Sequence, residues 1–239
     1  MSSSIERSPQ RYARIAGLLY LAIIAFGIFG ELFVRGTLVV PGDAAATVNA
    51  ISSSQFLWRV GIAGDLLMHV LDVPVIVVLY LLLRPVSESL ALLATLFNLV
   101  QTAVLVVNKL SLLVPIFLLE GAAYSKAFTA VQLHALSTLA IEAHGFGFGI
   151  GLVFFGFGCL VRGYLMFRSG YFPKILGLLM VGAGLSYLTN SFALLLAPSF
   201  AASIFPGVLV PAFVGELLFC LWLIVKGVNV ERWQQRVTS

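Results

Sequence analysis

Six long apolar stretches, at about 14–34, 57–83, 88–119, 132–161, 174–197 and 203–226, leave this 239-residue chain one solvent in which to fold. Each reaches the roughly 20 residues that an α-helix needs to cross about 30 Å of hydrocarbon. The second to fourth exceed that length, so tilt or projection into the headgroup regions is expected. Helices are the spanning form, because the runs lack the two-residue apolar alternation of a membrane barrel and an open sheet cannot satisfy its backbone in lipid. Only 10% of the residues are charged, against about 25% in soluble domains, so a water-filled surroundings is excluded for most of the chain. The expectation is an all-α polytopic membrane protein, with residues 1–239 forming a single domain of six transmembrane helices.

The first run follows Arg11 and Arg14 as a signal peptide would, but it continues to Phe33 without a small-residue cleavage pattern and reads as a retained helix. Orientation follows from basic residues in the loops. Arg7, Arg11, Arg14, Arg84, Arg162, Arg168, Lys174, Lys226, Arg232 and Arg236 fall on the side of the N-terminus, and Arg35, Arg59 and Lys126 fall opposite. Both termini are therefore expected in the cytoplasm. The net charge of +4 marks topology and attracts anionic lipid; no basic patch calls for nucleic acid. Cys159 and Cys220 lie in the cytoplasmic halves of spans, where small apolar packing suits them better than a disulfide. Between the first two spans, Pro41 and Gly42 make a turn and Asp43 caps a short helix from Ala44 to Ile51, expected to lie on the outer surface as a connector or as a lid.

Ionisable side chains interrupt the apolar runs near their middles. A charge at the bilayer centre costs roughly 2.5–3.5 kcal/mol on insertion scales, so their presence asks for a role. On the second span Asp65, His69 and Asp72 are spaced i, i+4 and i+7 and share one face. On the third, Asn98, Gln101, Asn108 and Lys109 cover a wider arc, and Lys109 is level with Asp65, its expected ion-pair partner. Glu142 and His144 on the fourth span are two residues apart, about 200° around a helix, and cannot both face one point. Asn190 and Glu216 complete the layer, while Glu31 reaches the interface.

Prolines and glycines add local expectations. Pro74 and Pro211 are read as interior helix prolines that release carbonyls near Asp72 and Glu216. In the fourth span, Gly145 with Gly149 and Gly147 with Gly151 are small-xxx-small pairs suited to close packing, with local unwinding as the alternative.

Three functions fit the polar layer. Asp65, His69, Asp72, Asn108, Lys109, Glu142, His144 and Glu216 can form a pathway or binding site for a small solute, a proton or a cation. His69 and His144, with Asp72 and Glu216, can instead hold a metal, or the two histidines a haem. Thirdly, the layer can serve only to hold helices together. No HExxH, nucleophile elbow or phosphate loop is present, so an enzymatic role has no motif behind it. The sequence names no cofactor, and beyond the lipid bilayer and a small solute or cation it names no partner.

Several of these segments together resemble one family. Arg14-Ile-Ala-Gly-Leu-Leu-Tyr20, Val40-Pro-Gly-Asp-Ala-Ala-Ala46, Gly64-Asp65 through His69, Asp72 and Pro74, Val107-Asn108-Lys109-Leu110, Glu142-Ala-His144-Gly145 and Arg168-Ser-Gly-Tyr171 are similar to the bacterial membrane family called domain of unknown function 4386. The resemblance implies a multi-pass protein of the bacterial cytoplasmic (inner) membrane. It implies no activity, substrate or catalytic residue.

Overall fold

The structure, a computed structural model, describes residues 8–238, so the orientation argument at Arg7 lies outside the described residues. Helix α1 runs over Pro9–Leu38, α2 over Ala44–Ser53, α3 over Gln55–Leu83, α4 over Glu88–Glu120 and α5 over Ala122–Ala127. Then follow α6 at Ala130–Ser169, α7 at Lys174–Leu196, α8 at Pro198–Ile204, α9 at Gly207–Val225 and α10 at Val230–Thr238. Among the described residues α1, α3, α4, α6, α7 and α9 are the six helices long and apolar enough to cross a membrane, in the order the apolar runs predict.

Local chemistry sets the ends. Asp43 caps α2 by accepting from the Ala46 N–H at 2.8 Å, as expected. Thr129 and Gln132 form a reciprocal capping box at the start of α6. That helix continues through residue 161 to Ser169, where Gly170 turns the chain at φ 77°. Its 40 residues span about 60 Å, well beyond the hydrocarbon. Two proline readings change. Pro211 lies in the first turn of the helix body of α9, where its missing N–H has no intrahelical partner to lose, so it breaks nothing near Glu216. Pro115, inside α4, joins Pro74 in α3 as an interior proline. The sixth span starts at Gly207 and not near 203, because α8 takes the preceding residues.

The spanning helices form a closed ring in chain order: α1 packs on α3, α3 on α4, α4 on α6, α6 on α7, α7 on α9, and α9 returns to α1. Gln10 closes it, donating to the Lys226 carbonyl at 2.6 Å and accepting from the Val228 N–H at 3.0 Å. The start of α1 and the end of α9 thus share one end of the bundle, called the terminal end here. Its core is built from Ala16, Leu79, Leu82, Met166, Met180, Phe219 and Leu223, and α10 adds Trp233. The Leu82 carbonyl, left open as α3 ends, accepts from Tyr171 at 2.7 Å and from Trp233 Nε1 at 3.0 Å. Burial pushes the Tyr171 phenol above its usual range, which keeps this donor protonated.

At the distal end Val34, Trp58, Ile62, Leu112 and Ile116 make a second apolar cluster. Helix α2 packs over it against α1, α3, α4 and α6 with Ile51 fully buried, so it covers the end of the ring. Between the two apolar clusters lies the polar layer.

Close packing fixes α6. The helix is unbroken, so the unwound alternative does not hold. Gly147 faces Asn108 and Gly151 faces Leu105 on α4, while Gly149 faces Leu194 on α7. Gly145 meets nothing within 4 Å among the described residues and is no part of their seams. The closest backbone approach lies further along, where a Cβ on Gly163 would stand 2.6 Å from the Gly177 carbonyl and one on Gly184 2.7 Å from the Gly156 carbonyl. Cys159 and Cys220 are unpaired and fully buried, in the packing role expected of them.

Candidate functional site

The stripe on α3 divides between two polar groups. Asp65 is 1% exposed and lies toward the distal end. Its Oδ2 accepts from Lys109 Nζ at 2.9 Å, the ion pair that depth predicts, and from Arg35 Nη1 at 2.7 Å. Arg35 is available because α1 widens into a π-helical stretch, Phe29–Arg35, that keeps the chain helical past the expected end of the first span. Glu31 accepts from Arg35 Nε at 2.8 Å and is itself exposed, in keeping with an interfacial position. Gly30 leaves the space the Asp65 carboxylate occupies; a Cβ there would overlap it.

Lys109 also reaches His144 Nε2 at 3.3 Å, a contact in which a neutral imidazole accepts from the ammonium group. Asn108 donates to the His144 carbonyl at 2.8 Å, its amide seated against Gly147. Asp65, Asn108, Lys109 and His144 are therefore brought together as expected. Glu142 is not: it is exposed on the opposite side of α6, as its spacing from His144 requires, and leaves the candidate set.

One turn along α3 from Asp65, His69 begins the second group, around a cavity of about 120 Å³ lined by α1, α3, α4, α6 and α9. Asp72, Asn98, Gln101, Arg162 and Glu216 line it with His69 and Tyr20, and Met68, Leu105, Phe148 and Phe155 supply apolar wall. Glu216 is 9% exposed and accepts from both sides, from Tyr20 at 2.9 Å and from Tyr187 at 2.5 Å. Arg162 is 4% exposed and donates to Asn98 Oδ1. Asp72 lies 3.5 Å from His69 Nδ1 and 3.4 Å from Thr102 Oγ1, both long contacts. Among the described residues neither His69 nitrogen has a hydrogen-bond partner, and neither does Gln101 Oε1. Asn190 is half-buried and takes no part in the cavity.

Arg162 and Arg35 correct the reading of basic residues as loop charges. Both fall just past the apolar windows, yet the helices run on and carry them inward. The signal for Arg162 was Gly170, a helix-ending residue eight positions later. Tyr20 and Tyr187 were also missed, since a lone tyrosine in a span carries no pattern of its own.

The alternative metal set is divided by this arrangement. His144 belongs to the Lys109 group, while His69, Asp72 and Glu216 line the cavity. Among the described residues no three His, Cys, Asp or Glu side chains converge as a metal ion needs.

Residues 15–227 match the family described as a domain of unknown function, DUF4386. An uncharacterized protein of Archaeoglobus fulgidus is 34% identical over 168 residues, covering 70% of this chain and 83% of that protein. No solved structure matches the chain.

Proposed function

The chain belongs to the DUF4386 family, and from that premise we propose that it is a carrier that binds a small polar solute or cation in the mid-depth cavity and passes it across the membrane. The observation that supports this reading is the cavity itself: two carboxylates, a guanidinium and an imidazole whose nitrogens make no hydrogen bond among the described residues surround the same 120 Å³, inside a ring of helices. Groups that only pinned helices would be expected to satisfy one another, because unmet polar atoms in lipid cost several kcal/mol each. The Arg35–Asp65–Lys109–His144 group does satisfy itself, and we assign it the pinning role at the distal side of the cavity. The site proper is then Tyr20, His69, Asp72, Gln101, Arg162 and Glu216. With basic residues concentrated at the terminal end, both termini face the cytoplasm, in the cytoplasmic membrane of a prokaryote.

Reconstituted vesicles under an imposed proton or sodium gradient test the reading, with a trapped dye following ion entry. Protein-dependent entry is expected, falling to the level of empty vesicles in Glu216→Gln and in Asp72→Asn. Entry that both variants leave unchanged would overturn it.

A further inference from the structure

We infer that the solute is a compact zwitterion, its carboxylate met by Arg162 and its ammonium group by Asp72; this rests on the cavity being the binding site. Two opposite charges line one cavity without pairing. Arg162 spends a donor on a neutral amide, Asn98 Oδ1, and among the described residues forms no ion pair with a carboxylate. A guanidinium has five N–H donors, so most of its capacity is left for an anion. Asp72 has only the long contacts to His69 and Thr102. Glu216 is near enough to Arg162 to interact with it electrostatically, but among the described residues its hydrogen bonds come from two phenol hydroxyls, one on each oxygen, and it makes no ion-pair contact with the guanidinium.

Gln101 gives a second, independent indication. It is 6% exposed, lines the cavity and is followed on α4 by Thr102, and among the described residues its Oε1 is an acceptor without a donor. An ammonium group has three donors, enough for Asp72 and Gln101 together. A simple anion would answer Arg162 and leave Asp72 and Gln101 unmet; a simple cation would do the reverse. In a low-dielectric surrounding each unmet group carries a penalty, and a molecule bearing both charges a few bonds apart removes both. The volume of about 120 Å³ admits a solute of a few heavy atoms, and the wall of Met68, Leu105 and Phe148 suits a short hydrocarbon body.

Titration calorimetry on the full chain in detergent tests this with glycine, alanine and β-alanine, and with methylammonium and acetate as the two half-charges. At least one zwitterion is expected to bind about tenfold or more tightly than either half, the difference charge-assisted hydrogen bonds supply. Arg162→Gln and Asp72→Asn are each expected to weaken that binding by about tenfold or more. The comparison of whole with half needs no variant, so a poorly folding substitution leaves the test intact. Half-charges that bind as tightly as the zwitterions, or no binding by any of the five, would overturn the inference. The two readings separate: ion entry into vesicles without zwitterion binding keeps the carrier and removes this ligand, whereas zwitterion binding with entry of neither ion nor radiolabelled zwitterion keeps the ligand and removes the carrier.

Discussion

At the scale of single residues, one carboxylate carries the distal polar group. Asp65 bridges Arg35 and Lys109, with Glu31 as the second carboxylate on Arg35, and both cationic side chains are nearly as enclosed as Asp65, at 12% and 4% exposed. Removing the anion would leave buried Lys109 without a carboxylate and beside Arg35, which keeps only the exposed Glu31, whereas removing Lys109 would leave Asp65 still paired with Arg35. Asp65→Asn is therefore expected to destabilise the protein by about 3–5 kcal/mol and Lys109→Met by distinctly less. Denaturant unfolding in mixed micelles measures both, and equal losses would contradict the shared-anion account. The Asp65–Lys109 pair was legible because each residue sits inside a long apolar run, where position along the helix translates directly into depth. Arg35 and Arg162 were not, since a charge at the edge of an apolar run looks the same whether the helix ends there or continues. The continuation depends on features that apolar length does not report: a π-helical stretch in one case and a distant terminating glycine in the other.

Among elements, α6 is the hub, packed on α4 by one face and on α7 by another. Its glycines announced close packing, but small-residue spacing alone does not say which pair meets a partner. Gly145 and Gly149 have the right spacing and only Gly149 is used; Gly163 and Gly177, on different helices, share no sequence pattern and make the closest backbone approach. An added methyl at Gly163 would meet a carbonyl oxygen, which cannot swing aside as a side chain can, so the two helices would have to separate. Gly163→Ala is expected to cost about 1–3 kcal/mol, the usual range for overpacking. Gly182→Ala, on α7 with nothing within 4 Å of the new Cβ, is the control and is expected to be neutral or stabilising by up to about 1 kcal/mol. Thermal unfolding of the two variants side by side checks the contrast. Similar effects at both positions would show that the seam does not hold α6 to α7. The proline error has the same origin: Pro211 lies inside the apolar run but in the opening turn of its helix, and only the helix start distinguishes the two situations.

On the scale of the whole molecule, ring order equals chain order, so each spanning helix packs beside its sequence neighbours and short connections suffice. The six helices long and apolar enough to cross a membrane were legible from apolar length alone, because lipid allows the backbone so few alternatives. What that length could not show was the closure between α9 and α1, made by Gln10 reaching the chain beyond the last span, or the two apolar clusters that confine the polar layer from either end. Closure has a topological consequence. If the terminal end faces one compartment, Gln235 on α10 must lie there, while Lys126 on α5, beyond the distal end of α4, must lie in the other. Both positions are exposed, and the native Cys159 and Cys220 are 0% exposed, so a cysteine introduced at either place is the group a membrane-impermeant maleimide should modify. In inside-out membrane vesicles Gln235→Cys is expected to be labelled and Lys126→Cys protected, with the pattern reversed in intact spheroplasts. The first pairing tests the ring, since labelling of both variants from the same side is incompatible with spans that place α5 and α10 at opposite ends. Its direction tests the inward placement of the termini by their basic residues, and a clean inversion would retain the fold while reversing the side from which the cavity is filled.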